Sequence, residues 1–235
     1  MPALLLLPDI RVEETVDLEN MKIKVSRWGL MVLFLALIGR SIGARAVEGS
    51  MQGQGGYQVG DAVSNFRLKN TDGNMVSLSD FAGSKGVIVV FTSNHCPFAK
   101  AYEDRIIALN SKFAGLGYPV IAINPSDPGT HQDDTFEKMK ERSAAKHYGY
   151  PYLVDDTQQV ARKFGAGRTP QAFVLQKNGT QFAVRYMGMI DDNPQDASGV
   201  TKLYVDEAVT NLVGGKPVVT TITKPVGCAI KWKNQ

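Results

Sequence analysis

The chain has 235 residues, which suits one domain with appendages better than two full domains. A formal charge of +3 is too small for the dense positive surface of a nucleic-acid binder, and an apolar fraction of 43% supports a sizeable core.

The first 46 residues read as an address rather than as fold. Residues 1–20 sit awkwardly upstream of a targeting pattern that begins at Met21, and suggest a misassigned start. From Met21 the chain runs Lys-Ile-Lys-Val-Ser-Arg, then an apolar stretch over 28–38, then Ala44-Arg45-Ala46. Cations, a short apolar run and an A-x-A site are the parts of a signal peptide. The run falls short of the ~20 residues that span a bilayer. The expectation is a signal peptide over 21–46, cleaved after Ala46, with an uncleaved membrane anchor as the alternative. Export to the periplasm or cell envelope, or secretion, is then expected, with membrane contact only through this targeting segment. No cysteine stands near the end of the apolar run, so a lipid anchor at a mature N-terminal cysteine is not expected.

Residues 47–58 are a polar, glycine-rich leader. Residues 63–68 and 75–78 flank Asp72-Gly73, predicting a β-hairpin. Gly86-Val87-Ile88-Val89-Val90 is a β-branched run too short for a helix and reads as a buried strand. Residues 118–124 repeat that pattern. Helices are expected over 134–147, 157–164 and 200–212, with a short extended segment at 152–154. Strands at 171–176 and 181–188 meet at Asn178-Gly179, a second hairpin signal. Strands alternating with helices, and hairpins at both ends, predict an α/β fold over 59–215. Its mixed central sheet carries helices on both faces.

The chain is organised around Cys96. Directly after the strand at 86–91, Phe98, Tyr102, Ile106, Leu109 and Phe113 recur at helical spacing. Cys96 therefore lies at the junction of strand and helix, with Pro97 in the first helical position, where a missing N–H costs nothing. The unpaired N–H groups of a helix N-terminus favour a sulfur there as thiolate. A buried structural cysteine is the bland alternative.

Strand, F-x-x-x-x-C-P, helix, and Thr169-Pro170 ahead of a later strand together resemble the thioredoxin superfamily. The opening from Val59 resembles that of peroxiredoxins and related redoxins. The H-C-P-F-x-K motif at His95–Lys100, the G-x-I-D-D-N stretch near Asp191 and the G-C-x-I-K-W tail are similar to a peroxiredoxin-like group with one active-site cysteine. The resemblance implies a thioredoxin-like fold with an N-terminal hairpin and a C-terminal extension, and a cis Pro170 facing Cys96. It makes Thr169 a position whose backbone binds an extended substrate. Ala99 stands where C-x-x-C proteins carry their second cysteine, so a mixed disulfide on Cys96 has no adjacent resolving thiol. The peroxiredoxin P-x-x-x-T-x-x-C pattern is absent.

The tail, 216–235, departs from thioredoxin. Val226, Cys228, Ile230 and Trp232 alternate and would share one face of an extended strand. Cys228 has two readings: a packing residue, or a structural or resolving partner of Cys96. A bridge between them would close a long loop, worth roughly 5 kcal/mol in the chain-entropy model. His95 would tune or shuttle the Cys96 proton, or else point into solvent. Thr92 and Asn94 would donate hydrogen bonds near the sulfur, and Lys100, one turn along, would favour the thiolate. His131, Asp133 and Asp134 form a loop cluster whose spacing matches no metal motif. Asp155-Asp156 and Asp191-Asp192 read as caps or turn residues.

The residues and the resemblance together point to an exported thiol oxidoreductase without metal or organic cofactor. Cys96 would react with a disulfide protein or a small oxidant and be restored by an external thiol. A peroxiredoxin-type peroxidase and a non-enzymatic peptide-binding module are the alternatives. Oligomeric state is not readable from the residues.

Overall fold

The computed structural model describes residues 55–233. The upstream segment, the signal peptide and most of the leader lie outside the described residues. In chain order the elements are β1 (Ala62–Val63), β2 (Arg67–Asn70), β3 (Met75–Ser77), β4 (Gly86–Phe91), α1 (Pro97–Phe113), β5 (Val120–Asn124) and α2 (Phe136–Ala145). They continue as β6 (Tyr152–Val154), α3 (Gln159–Phe164), β7 (Arg168–Thr169), β8 (Gln171–Asn178), β9 (Gln181–Gly188), α4 (Tyr204–Val213) and β10 (Cys228–Ala229).

Eight strands form one mixed sheet in the order β1-β9-β8-β4-β5-β6-β2-β3. The pairs β4–β5 and β5–β6 are parallel, and β4–β8, β8–β9 and β2–β6 are antiparallel. Because side chains alternate along a strand, β4 feeds two cores. Ile88 and Val90 pack with Tyr102, Ile106 and Phe113 of α1 and Val205 and Val209 of α4. Val87, Val89 and Phe91 pack on the other face with Val160 and Phe164 of α3 and Phe66 and Leu78 of the N-terminal hairpin region. A strand covered on both faces needs apolar residues throughout, which explains the unbroken run in β4.

Both hairpins form where Asp-Gly and Asn-Gly predict them. Gly73 and Gly179 take φ of 92° and 62°, left-handed values that a β-carbon disfavours. Helix starts differ from expectation. A 3-10 turn occupies Gln132–Asp134, and α2 begins only at Phe136, after Thr135 has capped the Lys138 N–H. Asp134 is thereby excluded from the helix and turned inward. The helix expected over 157–164 begins at Gln159, and the one expected over 200–212 begins at Tyr204.

The tail forms far less strand than its alternation predicts. Only Cys228–Ala229 forms a strand, against the two-residue β7, and Ile222 adds a single parallel bridge to Met187 of β9. Ile230 is buried, whereas Val226 and Trp232 are 41% and 39% exposed, so the expected continuous apolar face does not form. Trp232 instead lies under the Arg162 guanidinium, 4.5 Å from ring centre to the guanidinium carbon.

Candidate active site

Cys96 is the residue that caps α1, in extended backbone (φ −72°, ψ 121°), and Pro97 follows as the first helical residue. Its sulfur does not cap the helix. The thiol donates instead to the Thr169 carbonyl at 3.1 Å, and the Thr169–Pro170 bond is cis, as the resemblance implied. Ser93 ties the same residue from its side chain, with 3.0 Å between the two hydroxyl oxygens. Cys96 is 0% exposed, yet it belongs to neither apolar core.

The C-terminal strand lies beside it. In the β7–β10 pair, Cys228 is opposite Thr169 and Ala229 opposite Arg168. The pairing continues in Ile230 N–H, which donates to the Gly167 carbonyl at 3.1 Å. Arg168 donates to the Gly227 carbonyl at 2.8 Å. Gln158 grips the end of the tail: its amide donates to the Lys231 carbonyl at 2.8 Å, and its side-chain oxygen accepts from Lys233 N–H at 2.7 Å. Cys228 is partly exposed and also a free thiol. Burial, and then the neighbouring Cys96 thiol, pushes its pKa up to about 12. Two sulfurs far apart in sequence thus come together, and the backbone edge of Thr169 is occupied by the chain's own tail.

A polar network holds the loop before Cys96. His95 Nδ1 bonds to Asp134 Oδ2, and the His95 ring stacks on His131 with centroids 3.6 Å apart. The other Asp134 oxygen accepts from Asn94 N–H at 2.6 Å and from the Asn124 amide at 2.9 Å. The Tyr152 hydroxyl donates to the Asn94 side-chain oxygen at 2.9 Å, and burial raises that hydroxyl's pKa well above the usual phenol value. A buried carboxylate held by two N–H donors and an imidazole is well compensated.

Three expected roles change. Asn94 serves this network, its amide donating to the Asp133 carbonyl at 2.8 Å, and does not reach toward sulfur. Thr92 is buried, and its backbone N–H extends the pairing to Ile123; no hydrogen bond joins its hydroxyl to Cys96 among the described residues. Lys100 is 42% exposed and lies 4.0 Å from the Asp133 carboxylate, so its charge is spent at the surface. Asp134, a loose metal candidate in sequence, is a clamp. No group of three His, Cys, Asp or Glu poised for a metal ion occurs among the described residues. The Asp191 carboxylate is buried against Arg105 at 2.7 Å and the Tyr102 hydroxyl at 2.7 Å, which anchors the turn after β9 to α1. Asp155 accepts from Ala161 N–H at 2.8 Å and serves α3 as a turn residue. Ser93, Gln158 and Gly227 were missed; only Gly227 carried a signal, standing directly before Cys228.

Comparison with known proteins identifies the family and the fold. A hypothetical protein from Sinorhizobium meliloti 1021 with a crystal structure is 33% identical, with a TM-score of 0.70 over 76% of this chain and 96% of that one. Peroxiredoxin Q of Gentiana triflora is 34% identical over 139 residues, 52% of this chain. The match spans 55% of that protein's own length. Thiol-disulfide oxidoreductase ResA of Bacillus thuringiensis is 24% identical over 158 residues, 66% of this chain and 86% of that one. Residues 59–186 match the AhpC/TSA family, so on its thioredoxin-like fold the chain belongs to that family of redoxins.

Proposed function

We propose that the protein is an exported thiol-dependent oxidoreductase in which Cys96 is the attacking thiolate and Cys228 its resolving partner. The observation that carries this reading is the placement of both thiols on Thr169. One donates to its carbonyl at 3.1 Å, and the other stands opposite it in the β7–β10 pair. Cys96 sits at the positive end of a long helix, where developing negative charge on sulfur is favoured.

With a hydroperoxide, Cys96 thiolate takes the terminal oxygen and becomes sulfenic acid, while the alkoxide leaves and is protonated to the alcohol. Cys228 thiol then displaces the sulfenic oxygen as water, and the Cys96–Cys228 disulfide forms. With a disulfide substrate, Cys96 forms a mixed disulfide and releases one thiol, and Cys228 then displaces the other. In both cases two external thiol groups return the two electrons and leave as a disulfide. Complete burial of Cys96 under the tail favours a small oxidant over a folded disulfide protein, which supports the peroxidase form of the reading. The peptide-binding alternative requires an open Thr169 edge, and the tail fills it. Export rests on the signal-like pattern of residues 21–46.

The test is peroxide consumption with a thiol reductant, combined with peptide mass mapping without reduction. Cys96→Ser is expected to abolish turnover. Cys228→Ser is expected to stop at Cys96 sulfenic acid after one equivalent of peroxide, with a second equivalent carrying it to the sulfinic level. Turnover that survives in Cys96→Ser, or two thiols that stay free after oxidant, would end the proposal.

A further inference from the structure

Gln158 is held in a conformation that its own backbone does not favour. It stands just before α3 with φ 60° and ψ 13°, left-handed values that a residue with a β-carbon adopts at a cost. Its side chain is 0% exposed, and every bond it makes reaches a backbone group far along the chain. The amide nitrogen donates to the Pro125 carbonyl and to the Lys231 carbonyl, each at 2.8 Å. The amide oxygen accepts from Lys233 N–H at 2.7 Å.

The partners belong to two segments, the loop after β5 and the end of the tail, and both segments lead to Cys96. The tail carries Cys228 opposite Thr169. The loop after β5 runs through Asp127, whose carbonyl and carboxylate shape the turn that brings His131 onto the His95 ring beside Cys96. Lys233 adds a second tie between them: its ammonium donates to the Asp156 carbonyl at 2.8 Å and lies 3.6 Å from the Asp127 carboxylate. A buried amide stripped of its partners is left uncompensated, so the end of the tail is held in place as a unit.

On the proposed function as its basis, we propose that Gln158 is the positioning residue of the resolving step. It fixes the end of the tail so that the Cys228 thiol stays against Cys96 while Cys96 is oxidised. The sulfenic acid on Cys96 then has two routes. In one, the Cys228 thiol attacks its sulfur, the S–O bond breaks, the oxygen leaves as water and the disulfide forms. In the other, a second peroxide gives its terminal oxygen to the same sulfur, which becomes sulfinic acid, and the peroxide's remaining oxygen leaves and is protonated. The first route is intramolecular and depends on how closely the tail holds Cys228, whereas the second depends on peroxide concentration. Gln158 sets the ratio between them through the backbone of the tail.

The reduced full chain is mixed with excess hydrogen peroxide without a reductant, and peptide mass mapping without reduction reads Cys96–Cys228 disulfide against Cys96 sulfinic acid. Gln158→Met keeps the length of the side chain and removes all three bonds. It should raise the ratio of sulfinic acid to disulfide by about threefold or more, the equivalent of a single net hydrogen bond. Formation of the sulfenic acid, trapped with dimedone at short times, should not slow. A variant that slows this first step as much as the second has a general defect, which would overturn a positioning role. Lys233→Pro, outside both cores, removes only the N–H that the Gln158 oxygen accepts from and the lysine side chain, and should shift the ratio in the same direction. Lys233→Ala keeps that N–H and should stay nearer the wild type. An unchanged ratio in Gln158→Met or Lys233→Pro, or an equal shift in Lys233→Ala, overturns the role of Gln158 and leaves the proposed function standing. No disulfide in the wild type overturns both.

Discussion

Gly227 lies directly on the backbone of Thr169: a β-carbon added to it would fall 2.2 Å from the Thr169 carbonyl oxygen. That oxygen is the acceptor for the Cys96 thiol. The smallest side chain would therefore have to lift the tail, since neither backbone can yield at that distance. Gly227→Ala should leave the domain folded, because both cores form without residue 227. It should speed iodoacetamide labelling of Cys96 by about tenfold or more, since access controls thiol reactivity. Quantitative peptide mass spectrometry of the reduced protein reads this, and an unchanged rate would mean that β10 does not cover the sulfur.

Asp134 should act on His95 in a way that spectroscopy can see. The carboxylate beside Nδ1 keeps the ring proton on that nitrogen. Asp134→Asn removes the charge while its amide oxygen can still accept from Asn94 or Asn124. The proton is then expected on Nε2, read from the imidazole nitrogen chemical shifts of the neutral ring. Loss of the charge-assisted bonds should cost about 1.5–3 kcal/mol in urea unfolding.

Glu103 separates stability from chemistry. It is 5% exposed in α1 and receives two bonds of 2.6 Å from Arg142 and one of 3.0 Å from the Tyr148 hydroxyl. Arg142→Ala strands a buried carboxylate with weaker partners and should destabilise by about 3 kcal/mol. The labelling rate of Cys96 in the folded protein should not change, because this cluster joins α1 to α2 and makes no bond to the loop before Cys96 or to the tail.

Alkaline pH should weaken the fold through its phenols. Six of the eight tyrosines (Tyr102, Tyr118, Tyr148, Tyr150, Tyr152 and Tyr186) have pKa values raised above the usual phenol value, in each case chiefly by burial. The unfolded chain releases these protons near pH ~10, before the folded one does. It then binds fewer protons, so stability is full below that pH and falls as pH rises through it. Absorbance at the tyrosinate band should stay low in the folded protein and rise with unfolding, in step with loss of near-ultraviolet circular dichroism.

Much of the fold was legible because its signals are local. The β4 run, the α1 periodicity and the two turn dipeptides each depend on a few neighbouring residues, and all appear where expected. The position of Cys96 came from the same local grammar. The clamp on the loop before it did not, because Asp134 reaches His95 and Asn94 across 39 and 40 positions of chain. Local pattern assigned Asp134 to the start of a helix. Thr135 takes the cap instead, so the helix starts two residues later, at Phe136, and Asp134 is free to turn inward. The tail failed for a related reason: alternation predicted a long strand, but a strand can be only as long as the edge it finds.

That edge has a consequence for how long the cover lasts. The stretch joining α4 to β10 is largely exposed and rich in small and polar residues, the kind of segment on which proteases usually act. Its two lysines, Lys216 and Lys224, are each followed by proline, a bond that trypsin-like enzymes cut poorly. The stopper over the reactive sulfur is thus leashed by a cord whose obvious scissor points are both blunted.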